Sequence, residues 1–193
     1  MGRLRGTIHG VGLNDADYVV VSKTGRCPFF VAWSGMLKRC YSKAWLSKNT
    51  SYMGCSVVDE WLTFSNFKAW MEMQDWEAKE LDKDILVIGN KVYGPDHCIF
   101  VDKFINSMIT EIKQGSESIS TGITVSRNGK YRVRMSAYGS EVSVGTFETL
   151  NVAILAYKKA KLGVLNENKN RVSEKIYKCL VKRYDATMER NND

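Results

Sequence analysis

Histidine is scarce in this chain of 193 residues, with only His9 and His97. Little room is left for chemistry that needs several imidazoles. The five cysteines, Cys27, Cys40, Cys55, Cys98 and Cys179, include no Cys-x-x-Cys pair. Structural zinc usually takes two ligands from one such knuckle. Convergence of Cys27, Cys40, Cys55 and Cys98 on zinc is therefore the weaker alternative to buried thiols. An odd number of cysteines and no visible export signal point to reduced thiols in a cytoplasmic setting. No apolar run approaches the length of a membrane span, so no membrane partner is expected. The charged start, Met1-Gly2-Arg3-Leu4-Arg5-Gly6, is not followed by an apolar stretch, and no signal peptide is expected.

What is present is basic and aromatic. Lysine and arginine number 28 against 21 acidic residues, a net charge of +7. Such a balance suits a polyanion and speeds encounter with it, without giving sequence preference. Residues 1 to about 24 are rich in Gly, Asp and Val, and Tyr18-Val19-Val20-Val21 reads as one strand. Residues 25 to about 112 hold all five tryptophans, enough aromatic area for a core. There Phe30, Trp33, Met36, Leu37 and Cys40 recur at helical spacing, and Trp61, Phe64, Phe67 and Trp70 recur every three residues. Lys38, Arg39, Lys43 and Lys48 then fall on exposed faces or loops. They serve either as a solvated surface or as phosphate contacts. Gln114 to Ser120 reads as a linker or turn.

The C-terminal half reads as strands followed by a helix. Gly122-Ile123-Thr124-Val125-Ser126 is β-prone, and Asn128-Gly129 is a strong hairpin signal. Tyr131 to Ser136 alternates: Tyr131, Val133 and Met135 share one face, and Arg132, Arg134 and Ser136 share the other. After a turn at Ala137 to Ser140, Glu141-Val142-Ser143-Val144 alternates again, with both valines inward and Ser143 outward. Thr149 suits a helix cap. Val152, Ala153, Leu155, Ala156, Tyr157, Ala160 and Leu162 give the helix an apolar side. Lys158, Lys159 and Lys161 fall near its expected end, where cations suit the dipole. Three antiparallel strands on one helix leave the opposite sheet face uncovered. A sheet of this kind fits the major groove, where paired arginines contact phosphates or guanine edges.

Several of these segments carry a resemblance. Gly122-Ile123, Gly129-Lys130-Tyr131-Arg132-Val133-Arg134, Val144-Gly145-Thr146-Phe147-Glu148-Thr149, Ala153 and Ala156-Tyr157 resemble the plant ethylene-response-factor type of DNA-binding domain. The resemblance covers about forty residues and implies that the sheet face reads the major groove. Arg132, Arg134, Ser136, Glu141 and Ser143 then take the outward slots. Ser143 stands where that family often has Trp. The same module occurs in phage and mobile-element proteins attached to HNH-type homing endonucleases.

A second resemblance lies nearer the N-terminus. Trp33 to Tyr41, Cys55 to Trp61, Phe64-Ser65-Asn66-Phe67, Trp70-Met71, Leu81-Asp82-Lys83-Asp84 and Tyr93 to Val101 look like a group of phage proteins described as HNH-like. An HNH nuclease needs a His base and a divalent metal. Here Lys83 stands where that His is expected, and Tyr93 and Pro95 replace an Asn-rich stretch. Three readings stay open for Asp82, Lys83, Asp84 and His97. They form a charged surface turn, or an inactivated finger kept for binding DNA. Alternatively they form an altered active site, with Asp82 and Asp84 holding magnesium and His97 or His9 as base.

The expected architecture is α+β. An aromatic-rich, HNH-like module spans 1–113. A three-stranded antiparallel sheet packed on one helix spans 121–165. A charged helical tail spans 166–193, helical over Val172 to Tyr184 with Ile176, Leu180 and Tyr184 on one stripe. The expected partner is double-stranded DNA, contacted by Arg127, Lys130, Arg132, Arg134, Ser136 and Ser143, with Lys38 and Arg39 adding phosphate contacts. The alternatives are a metal-dependent homing-type endonuclease and a phage protein that binds and inhibits a host defence protein. A phage-encoded chain of this kind is expected in the host cytoplasm.

Overall fold

The helical spacing of Phe30, Trp33, Met36, Leu37 and Cys40 places them on one side of α1 (Pro28–Tyr41), which opens with a proline whose missing N–H costs nothing there. The structure is a computed structural model that describes residues 7–109, 118–120 and 122–189. The chain divides into two compact units, Met1–Val101 and Asp102–Asp193.

In the first unit, α1 packs against α3 (Phe64–Glu72), and the short α2 (Lys43–Leu46) follows α1 directly. Trp33, Phe64 and Phe67 are fully buried between them, with Trp61 and Met71 at the margin. The rings interlock: Trp33 lies 5.4 Å from Phe64, and Trp61 lies 4.5 Å from Trp70. Such tilted pairs add about 0.5–1.5 kcal/mol each beyond area burial. The indole N–H of Trp33 donates to the carbonyl of Trp61 at 2.7 Å, so burial leaves it satisfied. Two small pairings finish the unit. β1 (Ser56–Val57) runs parallel to β3 (Val92–Tyr93), and β2 (Glu80–Asp82) runs antiparallel to β4 (Ile99–Val101). The strand expected at Tyr18 to Val21 does not form. Val21 makes a single bridge with Arg26, and of the three valines only Val20 is buried. The run turns back on itself instead: Cys27 N–H donates to the Val20 carbonyl and Ser22 N–H to the Gly25 carbonyl, each at 2.9 Å, a pairing too short to make a strand.

In the second unit, β6 (Ile123–Val125), β7 (Tyr131–Ala137) and β8 (Ser140–Phe147) form the expected antiparallel meander. A fourth strand, β5 (Ser118–Ser120), adds to the β6 edge, so the stretch read as linker contributes structure at its end. Residues 114–117 lie outside the described residues. Gly122 has φ +71, and a Cβ there would lie 2.2 Å from the Arg134 carbonyl and 2.6 Å from the Tyr157 ring. Only glycine allows that approach. Gly129, with φ +79, closes the β6–β7 turn.

The inner sheet face meets α5 (Leu150–Glu167), capped by the Thr149 hydroxyl on the Val152 N–H. Ile123, Val133 and Ala153 are buried at this contact, with Tyr131, Phe147 and Tyr157 packed around them. α5 corrects the expected apolar side. Val152 and Leu155 are exposed, whereas Lys158 and Lys161 are buried. The helix continues to Glu167, so these lysines lie in its middle, and their long stems cover core surface. α4 (Lys103–Ile109) lies against β7. The tail forms α6 (Glu174–Glu189), packed on α5 with Ile176, Leu180 and Tyr184 buried as their spacing implied. The Lys161 ammonium and the Tyr184 hydroxyl both donate to the Met108 carbonyl, at 3.3 Å and 2.8 Å.

Candidate nucleic-acid interface

The outer sheet face follows from register. Directly paired residues of antiparallel strands share a face. Arg132 pairs with Thr124 on β6 and with Thr146 on β8. Arg134 pairs with Ser143, and Ser136 pairs with Glu141. A bulge between Val133 and Arg134 skips Val144, so the outward residues of β8 shift phase from Thr146 to Ser143 and Glu141 while the outward residues of β7 keep theirs. The face is therefore three rows: threonine–arginine–threonine, then arginine–serine, then serine–glutamate. Thr146, Arg132, Ser143 and Glu141 are exposed, and Thr124, Arg134 and Ser136 are half-buried.

The two arginines differ. Arg132 has no carboxylate within ion-pair range among the described residues. Arg134 Nη1 donates to Glu141 Oε1 at 2.8 Å. The expectation of two equivalent guanidinium groups side by side is thus corrected: one is open and one is held by its diagonal neighbour. Both members of that pair remain substantially exposed, and an exposed pair is worth only about 0–1 kcal/mol. At the turn end of the sheet, Arg127 is exposed, and Lys130 reaches Glu148 at 2.5 Å. Ser136 offers its hydroxyl side outward, while its carbonyl accepts from Lys161.

The first unit places its candidates differently. Lys38 is exposed, with its ammonium 4.6 Å from the Trp45 ring centre. Arg39 is half-buried, its guanidinium 5.4 Å from the centre of the Tyr93 ring. Asp82 is buried at the end of β2, and its Oδ1 accepts from the N–H groups of Asp84 and Ile85, both at 2.7 Å. Burial pushes its carboxyl above the ordinary range, partly offset by those two N–H groups. Lys83 is buried too, and grips Asp84 at 2.7 Å and 2.8 Å and the Asn90 carbonyl at 2.8 Å. Of the three open readings, a charged surface turn does not describe Asp82 and Lys83, which are buried; Asp84 is half-buried. His97 is half-buried, and its Nδ1 has no hydrogen-bond partner among the described residues.

Asp82, Asp84 and His97 do not come together as a metal centre. No group of three or more His, Cys, Asp or Glu side chains among the described residues is placed to hold a metal ion. The physical reason is local: one carboxylate oxygen of Asp82 closes a turn, and Asp84 answers the ammonium of Lys83. Cys40 and Cys98 are free thiols, both pushed up to about 12 by burial.

Two sets of residues escaped the sequence reading. Thr124 and Thr146 flank Arg132, and the Asn128-Gly129 turn carried the signal, because turn length fixes the register opposite it. Asn90 ties the first unit's loop together. Its Nδ2 donates to the carbonyls of Lys83 and Val92, and its Oδ1 accepts from the Val92 N–H. Nothing in its sequence context distinguishes it from any loop asparagine.

Comparison with family models, with curated proteins and with solved structures finds no match to this chain. No helix among the described residues is long and apolar enough to cross a membrane.

Proposed function

We propose that the second unit binds double-stranded DNA through its outer sheet face. The observation that carries this reading is Arg132, exposed between Thr124 and Thr146 on a face opposite to the one that packs on α5. A twisted antiparallel sheet has the width to enter the major groove, about 12 Å across. There a guanidinium takes guanine O6 and N7 in a fork, and flanking hydroxyls bond to phosphate or base edges. Arg127 and Lys130, at the β6–β7 turn, reach the backbone beside the groove. The resemblance to the ethylene-response-factor type of domain supports the same face, and the net charge of +7 suits the partner.

The first unit fits an inactive HNH-like scaffold of phage or mobile-element origin better than an active nuclease. The Asp82 and Asp84 carboxylates are engaged within the protein, and a buried lysine occupies the position where the resemblance expects a general base. Lys38 remains available on its surface for phosphate contact.

The test is fluorescence anisotropy of the full chain with a labelled duplex over a salt series. Binding should weaken steeply with salt, by about 0.9 in log–log slope for each phosphate neutralised. Arg132→Ala should weaken binding to the preferred duplex by about 1–3 kcal/mol, the worth of a bidentate guanine contact. Absence of salt-sensitive binding overturns the reading.

A further inference from the structure

The outer face carries one carboxylate among its described strand residues, Glu141, and that carboxylate holds Arg134. A surface meant to meet a polyanion gains nothing in raw affinity from an acid on the edge strand β8, beside the β7–β8 turn. Glu141 repels phosphate directly and also occupies a cation that would otherwise attract it. The pair is not buried and not needed to satisfy a core group: the side chains are 40% and 53% exposed. Its position is diagonal across β7 and β8, since Glu141 is opposite Ser136 and Arg134 is opposite Ser143. Both members therefore project from the same face, one row apart, where neighbouring base pairs would lie.

We infer that Glu141 is a specificity-determining residue of this face, acting against binding at unsuited sequences. The inference rests on the DNA-binding reading of the sheet. On a random duplex, Arg134 gains a phosphate only by leaving Glu141 beside the same polyanion, so the exchange is nearly neutral. At a suited site, both partners find substitutes. The Arg134 fork meets O6 and N7 of a guanine, and the Glu141 carboxylate accepts from the N4 amino group of a cytosine at an adjacent pair. The held pair thus opens without loss only where a guanine and an adjacent cytosine edge are presented together. Arg132, with no such restraint and two hydroxyl neighbours, supplies contact that does not depend on this choice.

The experiment compares wild type with Glu141→Gln, an isosteric change at an exposed position, using the full chain. One arm measures affinity for a random-sequence duplex against salt. The other selects preferred sites from a randomised duplex library. Glu141→Gln should bind the random duplex more tightly, with a log–log salt slope steeper by about 0.9, the value of one added phosphate contact. Its selected sites should lose a cytosine preference that the wild type shows. Adding Arg134→Ala to Glu141→Gln should remove the extra slope. If Glu141→Gln selects the same sites with the same slope, or fails to bind, the role of Glu141 is refuted while the sheet remains the DNA surface. If the wild type itself binds no duplex, both readings fall together.

Discussion

Replacing Lys161 with methionine should change how the second unit's stability depends on pH, in a direction the burial of the ammonium fixes. Lys161 is 1% exposed, and its ammonium donates to the carbonyls of Met108 and Ser136, each at 3.3 Å. Two long hydrogen bonds to neutral oxygens do not replace its hydration, and burial lowers its pKa from 10.5 to about 8. The unfolded chain therefore holds more protons than the folded one between about pH 8 and 10.5. Stability from this group rises with pH across that window, and the full cost of the buried cation is present below it. A change of that size corresponds to about 3 kcal/mol. Methionine has a similar stem and no charge, so the variant lacks the dependence. The stability of the wild type relative to Lys161→Met should rise by about 3 kcal/mol between those pH values. Tyr93, Cys40 and Cys98 are raised instead, so their ionisation in the unfolded chain works the other way. They are common to both proteins and cancel in the difference. The assay is urea unfolding followed by far-ultraviolet circular dichroism, whose signal includes α5 and α6 together with the helices of the first unit. Tryptophan fluorescence serves as the control, because all five tryptophans lie in the first unit. A flat difference across the window would show that the ammonium is not desolvated and would refute the reasoning.

Three further outcomes are expected. Asn90→Ala should cost the first unit about 2–3 kcal/mol, read from the tryptophan-detected urea midpoint, because it leaves backbone groups of Lys83 and Val92 without partners; a loss under about 0.5 kcal/mol would contradict this. Iodoacetamide on the native protein should label half-buried Cys27 and Cys179 first, and reach Cys40 and Cys98 only after denaturation; peptide mass mapping reads the order, and early labelling of Cys98 would be inconsistent with its burial. Supercoiled plasmid with magnesium or manganese should stay intact; nicking that Asp82→Asn abolishes would restore the active-nuclease alternative.

Periodic segments were the legible part of this fold. The alternation of Tyr131 to Ser136, the Asn128-Gly129 turn and the helical spacing from Phe30 to Cys40 each encode a local geometry that tertiary packing then kept. Where burial depends on distant neighbours, pattern was silent or misleading. Tyr18 to Val21 has the composition of a strand but makes only a single bridge, to Arg26 a few residues on. Lys158 and Lys161 look like surface cations and are buried, because α4 and α6 cover a part of α5 that the three-strand-and-helix picture left open. The outer face was legible to the level of which residues point outward. That Glu141 holds Arg134 depends on a diagonal set by the bulge at Val133 and Arg134, which strict alternation does not foretell. In the first unit, the charges of Asp82, Lys83 and Asp84 were visible, but their mutual satisfaction depends on Asn90 and on the backbone of the loop.

The measurement that bears most directly on the account separates the sheet face from bulk charge. Two full-chain variants each lose two cations: Arg132→Ala with Arg134→Ala on β7, and Lys175→Ala with Lys182→Ala on the exposed side of α6. Duplex affinity of the β7 variant should fall by at least tenfold more than that of the α6 variant, on the order of one lost base contact. Equal losses in the two would mean that net charge alone draws this protein to DNA and that the outer face has no special part in it.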